Sequence, residues 1–229
     1  MTAIVTGANR GIGLGLVRHL ATRGDQVIAA ARDPGAAREL TALAAASPGR
    51  IRVVACDVTD EAGLRALADA VGDDDVHLLI NNAGVYGGDE QTIDALDVAG
   101  AIRTFEVNAL GPLRVTLALL PALRRGRAKV VHVTSGMGSI GDNNGGGYYA
   151  YRMSKAALNM AARSLAIDLR RDRVISVVIN PGWVKTAMGG LGASITVDDS
   201  VTGMLRQIDL LTLADSGTFR TWRGGEYPW

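Results

Sequence analysis

Short apolar segments alternate along the chain with longer segments in which apolar residues recur at helical spacing. The short segments are rich in valine, isoleucine or alanine and lack regular polar alternation: 3–6, 26–31, 52–56, 76–80, 129–134 and 174–179. This composition is typical of strands buried on both faces. Between them, spacings such as Ile12, Leu16 and Leu20 place an apolar stripe on one side of a helix. The alternation predicts a doubly wound (Rossmann) α/β fold, with helices on both faces of a mostly parallel sheet.

The chain is expected to form a single domain over residues 1–229, because it contains no internal repeat and no long linker. Long helices are predicted over 97–125 and 151–170, and a further helix is predicted to begin near Asp198. The glycine-containing segment 187–197 predicts a loop, which we expect to be mobile and to close over a substrate.

The composition narrows the functional classes. Apolar residues make up 48% of the chain, and the formal net charge is +1 without a basic cluster. That balance argues against nucleic acid or an anionic membrane as the main partner. No apolar stretch approaches the roughly 18 residues of a membrane span, and the N-terminus lacks signal-peptide features, so we expect a soluble cytoplasmic protein. The lone Cys56 permits no intrachain disulfide, and the scattered histidines predict no metal site.

Tyr151 and Lys155 are four residues apart in a segment of helical pattern, which places the phenol and the ammonium on the same face. A neighbouring ammonium favours the phenolate and lowers the pKa of a tyrosine from its usual value of about 10. Such a tyrosine can exchange a proton with a substrate oxygen. The same spacing also occurs on solvated helix faces, so the pair alone does not establish catalysis.

A glycine-rich turn joins the first predicted strand to the first predicted helix, with Gly7, Gly11 and Gly13 in a Gly-x-x-x-Gly-x-Gly pattern. Glycines at such a turn let the backbone approach a pair of phosphates, whose charge the helix N-terminus attracts. Tight packing of strand against helix would also require glycine. Directly after the first strand, we favour nucleotide binding.

The end of the second predicted strand bears on the choice of nucleotide. NAD-binding proteins of this architecture commonly place an acidic residue here against the ribose hydroxyls, whereas an arginine suits a 2′-phosphate. Position 31 is alanine and position 32 is arginine, and Arg10 adds a positive charge in the glycine turn. These residues favour NADP(H). NAD(H) remains the alternative, because Asp33 would be the acidic residue if the strand ended one position later.

Polar residues follow the third and fourth predicted strands, at the sheet edge where such folds bind ligands. Asp57 could accept a hydrogen bond from an adenine amino group, or it could cap the helix that begins near Asp60. The sequence Asn81-Asn82-Ala83-Gly84 suits either a turn or the close approach of a ligand.

These motifs occur together, and in the same order, in one known family. The chain resembles the short-chain dehydrogenase/reductases of the single-domain type over nearly its whole length, with matching motifs at residues 6–13, 81–84, 151–155 and 180–186. Within the family, the segment 149–159 and the closing residues 227–229 are similar to the C-factor and sniffer-type carbonyl reductases.

The resemblance implies a catalytic role for four residues. Tyr151 would be the general acid in reduction and the base in oxidation, and Lys155 would lower its pKa and hold the nicotinamide ribose. Ser135 would hydrogen-bond the substrate carbonyl, and Asn108 would hold a water in a proton relay behind Lys155. Ser139 is a rival to Ser135, because Ser135 lies further before Tyr151 than in many family members. We prefer Ser135, which directly follows the fifth predicted strand.

The resemblance also implies which residues hold the cofactor. Asp57 would contact the adenine, and the segment 181–186 would hold the nicotinamide ring and its amide. The full set of expected cofactor contacts is Gly7, Asn9, Arg10, Gly11, Ile12, Gly13, Arg32, Asp57, Val58, Asn81, Ala83, Gly84, Tyr151, Lys155, Pro181, Gly182, Val184 and Thr186.

The sequence therefore predicts an NADP(H)-dependent oxidoreductase that transfers a hydride between the nicotinamide and a ketone, an aldehyde or a secondary alcohol. The alternative is a signalling or regulatory protein that binds NAD(P)(H) with little turnover. The resemblance further implies a homodimer or homotetramer, paired through the predicted long helices. The physiological substrate stays open, because loops of variable sequence line such pockets.

Overall fold

A seven-stranded sheet forms the centre of the protein in the computed structural model, which describes all of residues 1–229. Its strands are β1 (Thr2–Thr6), β2 (Gln26–Ala31), β3 (Ile51–Ala55), β4 (Leu78–Asn81), β5 (Lys129–Val133), β6 (Ile175–Asn180) and β7 (Phe219–Thr221). They lie in the order β3-β2-β1-β4-β5-β6-β7, and every neighbouring pair is parallel. The predicted doubly wound fold is confirmed, and the sheet is wholly parallel rather than mostly parallel.

Helices cover both faces of this sheet: α1 (Gly11–Thr22), α2 (Arg38–Ala45), α3 (Glu61–Val71), α4 (Val98–Phe105), α5 (Gly111–Ala118), α6 (Leu120–Arg125), α7 (Tyr149–Asp168) and α8 (Val197–Leu210). Because side chains alternate along a strand, β1 serves two cores. Ala3 and Val5 pack in one core with α1 and α8, whereas Ile4 packs in the other with α3, α5 and α6. None of these helices is both long and apolar enough to cross a membrane.

The long helix predicted over 97–125 is wrong as a single element. The structure divides it into α4, a π-helical turn at Glu106–Leu110, α5 and α6. Pro112 and Pro121 stand near the beginnings of α5 and α6. Proline has no backbone N–H to donate and suits a first helical turn, so each begins a new segment. The π-helical turn adds a residue to the helix and carries Asn108.

A buried polar cluster ties β4, β5 and β6 together beneath the carboxyl edge of the sheet. The Asn81 amide nitrogen lies 3.3 Å from His132 Nδ1 and 3.3 Å from Thr116 Oγ1. Ser176 Oγ lies 3.4 Å from His132 Nε2 and donates to the Ala162 carbonyl. Burial, with a smaller contribution from the Lys155 charge, lowers the pKa of His132 to about 3.

This cluster predicts a specific loss of stability in acid. The folded chain keeps His132 neutral down to about pH 3, whereas an unfolded histidine takes up a proton near pH 6.5. Since the unfolded state binds the extra proton, the free energy of unfolding should fall by about 1.4 kcal/mol per pH unit below pH 6.5 on account of this residue. Urea unfolding of the wild type and His132→Gln at several pH values measures the effect. Identical pH slopes for the two proteins would show that His132 is not its source.

Candidate active site

The turn between β1 and α1 leaves no room for a side chain at Gly7 or Gly13. Gly7 and Gly11 have φ values of +63° and +53°. A Cβ atom at Gly13 would overlap the Gly7 carbonyl oxygen and lie 2.6 Å from Asn82 Nδ2. The glycines are therefore needed for packing, whatever they bind.

The same turn leaves an anion site at the beginning of α1. Its N-cap residue is Arg10, which makes no side-chain cap, and the first turn contains no acidic residue. The first amides of a helix lack partners within it and attract negative charge. This end of α1 therefore has the properties that a phosphate requires.

Asn82 holds this turn in place, a role that the sequence analysis missed. Its Nδ2 donates to the carbonyls of Thr6 at 2.9 Å and Gly7 at 3.1 Å. The Thr6 hydroxyl in turn accepts from the backbone amides of Asn82 and Ala83. Asn81, an expected cofactor contact, is different, because its side chain is only 1% exposed and lies in the polar cluster with His132. Asn81 is therefore buried as a whole residue, and its contact with a cofactor stays a prediction.

The expected adenine site lies at the carboxyl edge of the sheet, where β2 and β3 end. Partial burial raises the pKa of Asp57, but hydrogen bonds from Thr59 and the charge of Arg32 outweigh burial and lower it. Asp60, and not Asp57, caps α3 by accepting from the Gly63 amide at 2.9 Å. The capping alternative for Asp57 is therefore wrong, and the Asp57 carboxylate sits near the Arg32 guanidinium.

Asp33 occupies a turn beyond the end of β2. Its carboxylate accepts from the Ala36 amide at 3.2 Å, and β2 ends at Ala31 as predicted. Arg32 is exposed directly after the strand. The arginine is thus the charged residue at the strand end, which is the position that distinguishes the two cofactors.

Tyr151 lies in the first turn of α7 and is 8% exposed. Burial raises the pKa of its phenol to about 12, while the nearby Ser135 hydroxyl lowers this pKa and Tyr86 raises it further. Lys155 Nζ lies 5.8 Å from the Tyr151 ring centre and donates to the Val133 carbonyl at 3.0 Å. Burial lowers the pKa of Lys155 to about 8. Burial thus dominates the pKa of Tyr151 in this structure, and the lowering of that pKa by Lys155 stays a prediction.

The two candidate serines differ in their surroundings. Ser135 precedes the short 3₁₀ turn Gly136–Gly138 and accepts from the Met137 amide at 3.1 Å, and its hydroxyl lies near enough to the Tyr151 phenol to lower the pKa of that group. Ser139 is buried, and its hydroxyl accepts from the Asp142 amide at 3.0 Å. The geometry thus favours Ser135 as the serine that shares a substrate oxygen with Tyr151.

Asn108 is buried, and its side chain hydrogen-bonds both the loop after β4 and helix α7. Its Oδ1 accepts from the Val85 amide at 2.8 Å, and its Nδ2 donates to the Val85 carbonyl at 2.8 Å and to Ser154 Oγ at 3.0 Å. Both amide hydrogens of Asn108 and one of the two acceptor sites of its Oδ1 are used by protein groups, and the role of Asn108 in holding a water stays a prediction. A Cβ atom at Gly84 would lie 3.2 Å from Asn108 Oδ1 and 3.6 Å from Lys155 Nζ, so glycine there gives access to both.

The segment after β6 faces the glycine turn across the crevice. A Cβ atom at Gly11 would lie 3.2 Å from the Thr186 methyl group. Gly182 has a φ of +82°, and a Cβ atom there would lie 2.7 Å from Trp222 Nε1. The Pro181 carbonyl accepts from Ser200 Oγ at 2.7 Å. This segment is therefore built rigidly onto β6 and α8 beside the expected nicotinamide position.

The predicted lid, residues 187–197, is held by hydrogen bonds at both ends. Trp183 Nε1 donates to the Gly189 carbonyl at 2.8 Å, and the Lys185 amide donates to the Ile195 carbonyl at 2.8 Å. Its last residue, Val197, begins α8. Closure of this segment over a substrate stays a prediction.

The remaining expected cofactor contacts fall into two groups. Asn9 and Arg10 are exposed in the glycine turn, and Ile12 is half-buried in the first turn of α1. Val58 and Val184 are buried, and their contacts with a cofactor stay predictions.

Two aromatic side chains, Tyr86 and Tyr148, form a wall beside Tyr151. The Tyr86 ring, from the loop after β4, lies 5.2 Å from the Tyr151 ring and 6.0 Å from the Tyr148 ring. The sequence analysis did not single out Tyr86, since nothing in its local pattern indicates a partner in α7.

A doubly wound α/β fold with an uncapped first helix, a buried Tyr151 and Lys155 and a half-buried Ser135 define the class of this protein. The family model described as short chain dehydrogenase matches residues 1–192. The chain belongs to this family of oxidoreductases, as its sequence motifs predicted.

Individual relatives agree with the predicted branch. C-signal of Myxococcus xanthus is 53% identical over 172 residues, which span 72% of this chain and 100% of that protein. The NADPH-bound carbonyl reductase from chicken fatty liver has a TM-score of 0.94 at 38% identity, over 100% of this chain and 98% of that one. The carbonyl reductase Sniffer of D. melanogaster has a TM-score of 0.93 at 32% identity, over 100% of this chain and 99% of that one.

Proposed function

We propose that the protein is an NADP(H)-dependent oxidoreductase that interconverts a ketone or aldehyde with its secondary or primary alcohol. The observation that carries this proposal is the convergence of Tyr151, Ser135 and Lys155 beside the glycine turn. The chicken carbonyl reductase, which has the same fold over the full length of this chain, was solved with NADPH bound.

The residues of the crevice fit this cofactor. The uncapped N-terminus of α1 would hold the pyrophosphate, and the exposed Arg32 would pair with the 2′-phosphate. Lys155 would hold the nicotinamide ribose, and the main chain of 181–186 would hold the carboxamide. When bound, the nicotinamide supplies or accepts the hydride.

The protein side of the reaction is proton transfer and polarisation of the carbonyl. The hydroxyls of Ser135 and Tyr151 would both donate to the substrate oxygen, where negative charge develops. Because burial raises the pKa of Tyr151 to about 12, the phenol keeps its proton near neutral pH and can serve as the acid. The buried ammonium of Lys155 would favour the tyrosinate left behind. Tyr86 and Tyr148 favour substrates with an apolar group beside the carbonyl.

The cofactor preference can be tested at one residue. Replacing Arg32 with alanine should weaken NADPH binding about tenfold, because a hydrogen-bonded charge pair with the 2′-phosphate is lost. NADH lacks this phosphate and should bind almost as before. Calorimetric titration of both cofactors against the wild type and Arg32→Ala measures the difference. Equal losses for the two cofactors would remove Arg32 from this role.

A second candidate function is a regulatory protein that binds NAD(P)(H) with little turnover. The observation in its favour is the 53% identity to the protein named C-signal. NADPH oxidation by the wild type against a panel of ketones and aldehydes separates the two. Turnover of any member supports the reductase, whereas tight NADPH binding without turnover across the panel supports the regulatory protein.

We also propose a homodimer or homotetramer. Exposed apolar side chains on the two helices that flank the site support self-association: Val98, Ile102 and Phe105 on α4, and Met153, Met160 and Ile167 on α7.

A further inference from the structure

The helix that carries Tyr151 has no capping side chain of its own. Its N-cap residue, Tyr148, has a φ of +51° and makes no side-chain cap. The first amides of any helix need partners from outside. Here the Tyr149 amide donates to the Gln91 carbonyl at 3.2 Å, and the Tyr151 amide donates to Gln91 Oε1 at 2.9 Å. Gln91 thus caps α7 from 60 positions earlier in the chain.

The other end of the Gln91 side chain is tied to the loop after β4. Its Nε2 donates to the Tyr86 carbonyl at 2.9 Å and to the Gly88 carbonyl at 2.7 Å. The residue is 2% exposed, and both donors and the acceptor of its amide are used. A buried amide with this arrangement is specific in both length and polarity, so neither an apolar nor a charged residue replaces it.

The hydrogen bonds of Gln91 position two segments that meet at the phenol of Tyr151. Its acceptor fixes the first turn of α7, which carries Tyr151, and its donors fix the backbone of Tyr86, whose ring packs on Tyr151 at 5.2 Å. We propose that Gln91 is a positioning residue, which sets the catalytic tyrosine and the aromatic wall of the substrate pocket against each other. This proposal deepens the proposed function and rests on it for the role of Tyr151.

Two substitutions separate the hydrogen bond that Gln91 accepts from α7 from those that it donates to the loop after β4. Gln91→Leu removes the acceptor and the donors together. Gln91→Glu keeps an acceptor for the Tyr151 amide, but its carboxylate cannot donate to the Tyr86 and Gly88 carbonyls until it is protonated. Val71→Ala, at a buried position in α3, is the control for lost stability without a change at the site.

In turnover of an active carbonyl with NADPH, Gln91→Leu should lower kcat by roughly 10- to 100-fold, since small displacements of a catalytic group have effects of this size. The KM for NADPH should stay near the wild-type value, because Tyr151 is the one expected cofactor contact that Gln91 hydrogen-bonds, and it does so through the Tyr151 backbone amide. The activity of Gln91→Glu, relative to that of the wild type at the same pH, should rise as the pH is lowered, whereas the ratio for Val71→Ala should stay constant.

A second readout does not depend on turnover. The phenolate absorbance of each protein, minus that of the same protein carrying Tyr151→Phe, isolates the titration of Tyr151. The polar and titratable groups around this phenol are Ser135 after β5, Tyr86 and Tyr148 in the aromatic wall, and Lys155 on its own helix. Gln91→Leu should let water reach the phenol, so its pKa should fall from about 12 toward 10.

Measured together, kcat, the melting temperature and the Tyr151 titration distinguish a positioning role of Gln91 from a merely structural one. If Gln91→Leu lowers the melting temperature but matches Val71→Ala in kcat and the wild type in Tyr151 titration, the residue is only structural and the proposal is overturned. If the wild type turns over no carbonyl, the proposed function fails. The Tyr151 titration then still decides whether Gln91 positions the phenol.

Discussion

Tyr151→Phe is expected to lower kcat/KM for carbonyl reduction by about 10²- to 10⁴-fold, the range typical of a lost general acid. Phenylalanine keeps the ring that packs on Tyr86 but has no proton for the substrate oxygen. The fold and the NADPH affinity should change little, because the substitution removes one hydroxyl and keeps the ring packing against Tyr86. Steady-state NADPH oxidation, with calorimetric NADPH binding alongside, measures both quantities.

Tyr149→Phe is the matched control for this substitution. Tyr149 lies on the same turn of α7 and is partly exposed, and no catalytic role is proposed for its hydroxyl. It should keep close to wild-type activity. Equal activity of Tyr151→Phe and Tyr149→Phe on every substrate would remove Tyr151 from the reaction.

Gly13→Ala is expected to weaken NADPH binding by about 10- to 100-fold. The added methyl group would overlap the Gly7 carbonyl oxygen and crowd Asn82 Nδ2, which holds the glycine turn to β4. The backbone must then shift where the pyrophosphate is expected, and overpacking of this kind typically costs about 1–3 kcal/mol. Calorimetric titration gives the affinity, and thermal unfolding gives the accompanying loss of stability.

Gly15→Ala, two residues further along α1, is the control for Gly13→Ala. Its methyl group would meet only the Val197 and Val201 side chains of α8, the nearer at 2.7 Å. It should lower the melting temperature without weakening NADPH binding. If both variants bind NADPH like the wild type, the glycine turn does not hold the cofactor.

The fold was largely predictable because apolar patterning reports burial directly. Strands buried on both faces appear as short runs such as 26–31, and β2 spans those same residues. The short β7 carries only three residues, too few for a pattern to form. The π-helical turn around Asn108 was missed for a different reason, since the sequence from 97 to 125 has a continuous helical pattern apart from its prolines.

The sequence was enough to predict which residues form the site, but not the direction in which the Tyr151 pKa shifts. Sequence spacing brings Tyr151 and Lys155 onto one helix, but the direction of the Tyr151 pKa depends on burial and on Tyr86, which comes from another loop. The same limit hid the capping of α7, because Gln91 is distant in sequence from the amide it accepts. Local patterns report such long-range hydrogen bonds only when a known motif contains them.

The most direct test of the proposed reaction follows the hydride itself. NADPH that carries deuterium at the transferred position is incubated with the protein and a carbonyl substrate, and the alcohol is analysed by mass spectrometry. The wild type should place one deuterium on the former carbonyl carbon, and Tyr151→Phe should do so far more slowly while still binding NADPH. Binding of NADPH by the wild type without deuterium in any product of the carbonyl panel would contradict the proposed function.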